Sequence, residues 1–180
     1  TEDAGDDVTA DEGWTLAGDL QVFGGAEGID WLVSTDSHNG ANYSILHVLT
    51  SAPLVAKNAN GVDTSATTIE VNAGVKADLT LAGVNIRSAW IPLNITTNSF
   101  IGEGGAKVTS GKDIPEGLQT SLNLILADGS QNTLVNTVGE TGYPGIRCGE
   151  GSRLTIDDSE RNLDSAGNPV VPEKGVIGRD

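Results

Sequence analysis

TTIEVNAGVKADLTLAGVNI, residues 67–86, is the stretch whose reading decides the fold. Ile69 and Val71 alternate with Glu70 and Asn72, Leu79 and Leu81 flank Thr80, and Val84 and Ile86 flank Asn85. Three short period-two runs separated by Gly74 and Gly83 predict three small strands joined by tight turns, one triangular coil. A single coil cannot bury its own inward residues, so it must stack on neighbours. Related runs follow. YPGIRCGEGSRLTIDDSE (143–160) repeats the first two, with Ile146 and Cys148 matching Ile69 and Val71, and Leu154 and Ile156 matching Leu79 and Leu81. Between them, Leu93 and Ile95, Leu124 and Leu126, and Leu134 supply the three runs of a middle coil.

Spacing tests the repeat. Val71 and Ile95 stand 24 residues apart, one coil, whereas Ile95 and Cys148 stand 53 apart, one coil plus roughly thirty residues. Most of the excess is TNSFIGEGGAKVTSGKDIPEG (97–117), read as a loop insertion projecting from one corner. Loops on a rigid scaffold often carry binding residues, although a tolerated structural insertion explains the segment equally well.

The chain of 180 residues is long enough for one domain with a sizeable core, and its 24 glycines with no sustained helical period predict a nearly all-β protein. A net charge of −15 with only ten Lys plus Arg argues against nucleic acid and against direct binding to anionic membranes. There is no methionine and no apolar stretch of about 18 residues that could span a bilayer as a helix. Acidic, lysine-poor and cysteine-poor, the chain suits a bacterial extracellular or cell-surface protein, covalently continuous with further domains.

Residues 1–13, acidic and nearly devoid of apolar side chains, read as a flexible leader; the domain is expected over 14–180. The pattern starts at Trp14, with Leu20 and Val22 turned one way, and residues 29–56 read as one more coil, interrupted by a polar loop STDSHNGANY (34–43), with Trp14, Phe23 and Trp31 covering the open end of the stack. At the other end, GVIGRD looks like the start of a further coil, with Ile177 in the place of Ile146.

TIEVNAGVKADLTLAGVNI, LNLILADGSQNTL (122–134) and GIRCGEGSRLTIDD (145–158) together resemble a family of bacterial surface right-handed parallel β-helices of the carbohydrate-binding-domain type, a pectate-lyase-like architecture. The resemblance implies a non-catalytic, calcium-using module for plant cell-wall polysaccharide, particularly acidic sugars. Its motifs are core and turn residues, so no ligand position is carried over from it.

Candidate site residues come instead from stacking the runs. With Val71, Ile95 and Cys148 in one inward column, Glu70, Asn94 and Arg147 form an outward ladder, and Trp90 falls beside Tyr143. Coils about 4.8 Å apart would turn those two rings into a flat platform for the C–H face of a sugar. Trp90, Tyr143, Glu70, Asn94 and Arg147 are the expected glycan contacts; the competing reading is that the rings close a corner against the insertion. Aligning Leu81, Leu126 and Ile156 places Asp128 and Asp158 at one turn with Asp157 adjacent, a cluster that Ca²⁺ would relieve of its repulsion. Aspartate is also an ordinary turn residue.

No catalytic constellation is legible. His38 and His47 read as isolated, and Cys148 as packing in an apolar column. The expectation is a non-catalytic polysaccharide-binding module, calcium-dependent. The alternatives are an adhesion or stalk module with a protein partner and, third, a polysaccharide lyase.

Overall fold

The computed structural model describes residues 7–97, 99–102, 107–108, 117–138, 143–158, 162–163, 169–170 and 176–178. Its first elements are β1 (Thr15–Ala17), β2 (Leu20–Phe23), β3 (Trp31–His38), β4 (Ala41–Val48) and β5 (Leu54–Asn58). The quoted stretch follows as β6 (Thr67–Val71), β7 (Lys76–Leu81) and β8 (Asn85–Ser88), and then come β9 (Leu93–Ile95), β10 (Phe100–Ile101) and β11 (Lys107–Val108). The remainder is β12 (Ser121–Leu126), β13 (Gln131–Asn136), β14 (Ile146–Cys148), β15 (Arg153–Asp158), β16 (Asn162–Leu163), β17 (Pro169–Val170) and β18 (Val176–Gly178). The fold is all-β, with mixed parallel and antiparallel sheets and no helix among the described residues.

Three sheets carry the body. One runs β3-β4-β6-β9-β14 and is parallel from β4 onward; a second runs β1-β2-β5-β7-β12-β15 and is parallel from β5 onward; the third, β8-β13-β18, is parallel throughout. From β6 the chain visits the first, second and third sheets in turn, then repeats the order through β9, β12 and β13. The alternating residues explain the packing. Ile69, Val71, Leu79, Leu81, Ile86, Leu93, Ile95 and Leu124 share one buried cluster. The middle strands of each parallel ladder have a neighbour on both sides, which is why their apolar residues are fully covered.

Register agrees with the column reading in the first and third runs: Val71 pairs with Ile95 and Ile95 with Cys148, while Ile86 pairs with Leu134. The second run departs from it. Leu81 pairs with Leu126 and Leu126 with Asp158, so Ile156 lies opposite Leu124 and Leu79 rather than Leu81. The slip of two residues keeps every side chain on its expected face, so alternation alone could not reveal it. Cys148 occupies its predicted row but is exposed, and Ile156 is 48 % exposed, because β14 and β15 are the last of the described strands in their sheets. Ile177 is not the equivalent of Ile146. It pairs with Asn132, in the third sheet.

Residues 14–56 differ more. β4 and β5 do continue the parallel ladders onto β6 and β7, but β1 with β2 and β3 with β4 form antiparallel hairpins, and the polar stretch 34–43 is the distal half of the second, β3 paired with β4 from Trp31–Val48 to His38–Ala41. Asn39 at φ 50° and Gly40 at φ 79° make its two-residue turn, which requires left-handed backbone at both positions. Trp31 is in the core cluster, its Nε1 donating to the Gly24 carbonyl, while Trp14 packs on Phe23 with the Lys57 ammonium over its ring.

The described end of the acidic leader is tied down. Thr9 bridges Asn60, and Asp11 accepts hydrogen bonds from Lys57 Nζ and Asn60 Nδ2. Residues 1–6 lie outside the described residues, as does most of the insertion. Of the latter, Ile101 is buried and exchanges two hydrogen bonds with the Asn72 side chain, so this part of the segment belongs to the body.

Candidate functional site

β3 and β4 alternate, with Trp31, Val33, Leu46 and Val48 turned to the core and Ser34, Asp36, Tyr43 and His47 on the other face. On that face the parallel register continues His47 to Glu70, Asn94 and Arg147. Four residues ahead of this ladder stands a second row: Tyr43, Ala66, Trp90 and Tyr143. Sequence periodicity and sheet register together therefore make one polar row and one mainly aromatic row, side by side.

Trp90 and Tyr143 do come together, with ring centroids 5.4 Å apart, but their planes are inclined at 56° and form no flat platform. His38, from the hairpin tip, explains the tilt. Its ring lies 5.1 Å from both Trp90 and Tyr143, edge-on to the indole, while Tyr43 stacks on Trp90 at 6.3 Å. Trp90, Tyr143 and His38 are each half-buried, so the cluster presents part of its aromatic surface to solvent. The Tyr43 hydroxyl is pushed up to about 12, first by burial and then by the Asp36 and Glu70 carboxylates. It stays a neutral donor through the physiological range.

Beside Tyr43 a cavity of about 500 Å³ opens against the distal half of the hairpin, with Ala66 at one wall. Its lining is chiefly hydroxyl and amide: Thr35 and Ser44 face each other across the two strands, as do Ser37 and Asn42, on the face opposite to that of Asp36 and Tyr43. Asp36 is the one carboxylate there. Such a wall offers donors and acceptors to a hydroxylated ligand without fixing a charge on it.

The polar row differs from the expected one. Glu70 and Asn94 are 6 % and 7 % exposed, which withdraws them from direct contact with a polymer, whereas Arg147 is exposed. Asn94 Nδ2 donates to Glu70 Oε2 at 3.5 Å, the other carboxylate oxygen lies 3.6 Å from His47 Nδ1, and His47 Nε2 shares a 2.7 Å hydrogen bond with the Ser34 hydroxyl. His47 is thus not isolated. Ser34, His47 and Glu70 follow the order of a nucleophilic relay, yet His47 is wholly enclosed and its Nδ1 is beyond hydrogen-bond reach of the carboxylate. The arrangement is a buried polar seam across four strands. Alternation places His47, Glu70 and Asn94 off the core and leaves Ser34 in a polar loop, but the cluster is visible only once the strands are in register.

The acidic cluster expected to hold calcium is not assembled as the columns suggested. Asp158 lies opposite Leu126 and Asp157 opposite Ile125, both on exposed β15, while Asp128 lies beyond the end of β12. Among the described residues no three His, Cys, Asp or Glu side chains converge as metal ligands would.

Comparison of the chain with protein-family models, curated proteins and solved structures finds no match.

Proposed function

We propose that this chain is a non-catalytic polysaccharide-binding module at the bacterial cell surface, built on a short right-handed parallel β-helix, with the glycan lying across Trp90 and Tyr143. The observation that carries the reading is the half-buried aromatic cluster of Trp90, Tyr143 and His38, with Arg147 exposed in the adjoining row. Aromatic faces take the C–H surface of a sugar while polar groups beside them take its hydroxyls. Arg147 remains a peripheral polar contact. Glu70 and Asn94 support the row from within. The β-helix part of the reading draws on the repeated passage of the chain through three parallel ladders in one order, which is how a three-faced coil would stack.

Affinity electrophoresis on a panel of soluble polysaccharides, with and without calcium, tests it. Trp90→Ala and Tyr143→Ala are each expected to weaken retention by about tenfold, the scale of one lost aromatic contact. Retention that survives both substitutions unchanged sinks the assignment. A second reading, adhesion to a protein partner, draws on β3, eight residues long and terminal in its sheet among the described strands, where a partner strand could add to the edge beyond Trp31.

A further inference from the structure

A second cleft lies on the other broad sheet, at the corner where the chain leaves the first sheet for the second. Lys76, Ser121 and Arg153 are the first residues of β7, β12 and β15, and the register sets them in one row, Lys76 beside Ser121 and Ser121 beside Arg153. They line a cleft of about 500 Å³ together with Gln119. In a chain with ten Lys plus Arg against 25 Asp plus Glu, two cations here are two strands apart, roughly 10 Å at the usual strand spacing.

Neither cation is committed elsewhere: among the described residues the ion pairs are His47 with Glu70 and Lys57 with Asp11. The backbone around the cleft is already satisfied, Ser121 N donating to the Val75 carbonyl and Arg153 N to the Thr120 carbonyl. Thr120 Oγ1 and Ser152 Oγ are also taken, donating to the Thr96 and Gly149 carbonyls. What stays available is one ammonium, one guanidinium, the Gln119 amide and the Ser121 hydroxyl. All point to one ligand chemistry. An anionic oxygen group between the two cations receives charge-assisted bonds from both sides, and hydroxyls beside it meet Ser121 and Gln119. The net charge of −15 does not forbid this, because charges farther away than about 8–10 Å are largely screened at physiological ionic strength.

We propose that this cleft is an anion-binding site for the carboxylate or sulfate group of a polyhydroxylated ligand, distinct from the aromatic row. That the group is carried on a polysaccharide rests on the reading given above; the anion site itself does not.

The test uses the whole chain, isotope-labelled, and follows amide NMR shifts during titration with sodium sulfate, sodium galacturonate and, as the uncharged control, methyl galactoside. Sulfate or galacturonate is expected to shift the amides of residues 76, 119–121 and 152–153, and the stronger of the two identifies the preferred group. Lys76→Gln and Arg153→Gln, both at exposed positions, are each expected to weaken that binding by about tenfold, and added salt to weaken it further. Shifts by neither anion, equal shifts by methyl galactoside, or shifts undiminished in the double variant overturn the proposal. Trp90→Ala is expected to leave the anion shifts intact; their loss there would move the anion to the aromatic row and overturn it as well. Polysaccharide retention that ignores Trp90→Ala while the anion shifts persist would instead remove the aromatic reading alone.

Discussion

At Asp11 one carboxylate fastens the N-terminal segment, receiving hydrogen bonds from Lys57 and Asn60. The Lys57 hydrogen bond first, and the Asn60 one second, hold its pKa below the ordinary 3.8. A depressed carboxylate contributes stability that is present above the ordinary value and lost as pH falls through the lowered one. Because the pair is partly exposed, Asp11→Asn is expected to cost about 0.5 kcal/mol at neutral pH and nothing in strong acid, as read by urea denaturation at both. An equal cost at both would mean the ion pair is not what Asp11 supplies. Tyr43 carries the opposite sign. Its proton is held to about 12, so stability is level below 10.0 and declines as pH rises from there, since the unfolded chain ionises first. Ultraviolet titration of the folded protein should show a late phenolic step that Tyr43→Phe removes, and a tail unchanged in the variant would contradict the burial and the two nearby carboxylates. None of this was legible in the chain order. Asp11 and Lys57, or Ser34, His47 and Glu70, become partners only through a register that residue types alone do not state.

The elements were far more legible than their partners. The runs Ile69–Val71, Leu79–Leu81 and Leu93–Ile95 could be read because only one face of each is apolar: their apolar residues enter the core cluster while Glu70, Thr80 and Asn94, though buried too, are polar. The hairpin of β3 and β4 was missed because its distal half is polar on both faces, leaving only Asn39-Gly40 to announce it, a pair that outweighs the surrounding polarity. The register of β15 was missed for a different reason: LTL and LTI look alike, and sliding one by two residues exchanges no faces. The observed register and exposure separate two similar-looking leucine-type positions. Leu81→Ala, at a fully buried site with β5 and β12 on either side, should destabilise by about 2–5 kcal/mol. Ile156→Ala, at 48 % exposure on a terminal strand, should cost about 0.5 kcal/mol. Thermal melts of the two variants measure the difference, and equal losses would return Ile156 to the interior column.

Across the whole molecule, the antiparallel strands β1, β2 and β3 lie at one end of two ladders and β14 and β15 at the other, with β6, β9, β7 and β12 between them. Where each strand is stabilised mainly by its immediate neighbours, stability is a sum of local terms and interface terms, and the interior members have two interfaces to lose. The side chains show the same gradient, from Ile69, Leu79 and Leu93 at 0 % exposure to the exposed Cys148 and Ile156. Local opening should therefore begin at β14 and β15, which among the described strands are paired on one side only. The hairpin end is better anchored, since Trp31 and Leu20 are in the core cluster and Asp19 N donates to Thr67 Oγ1 while its carboxylate accepts from Ala66 N. Native-state hydrogen exchange is expected to show amides of β6, β7, β9 and β12 exchanging slowest, those of β4 and β5 next, and those of β14 and β15 fastest among the paired strands. Sub-denaturing urea should widen the gap between β12 and β15 before the melting of β6 is reached. If all the ladder amides exchange at one common rate, the sheets unfold as a single cooperative unit and the neighbour-by-neighbour account fails. Slowest exchange at β14 and β15 would instead mean that these strands are covered and paired on their outer side.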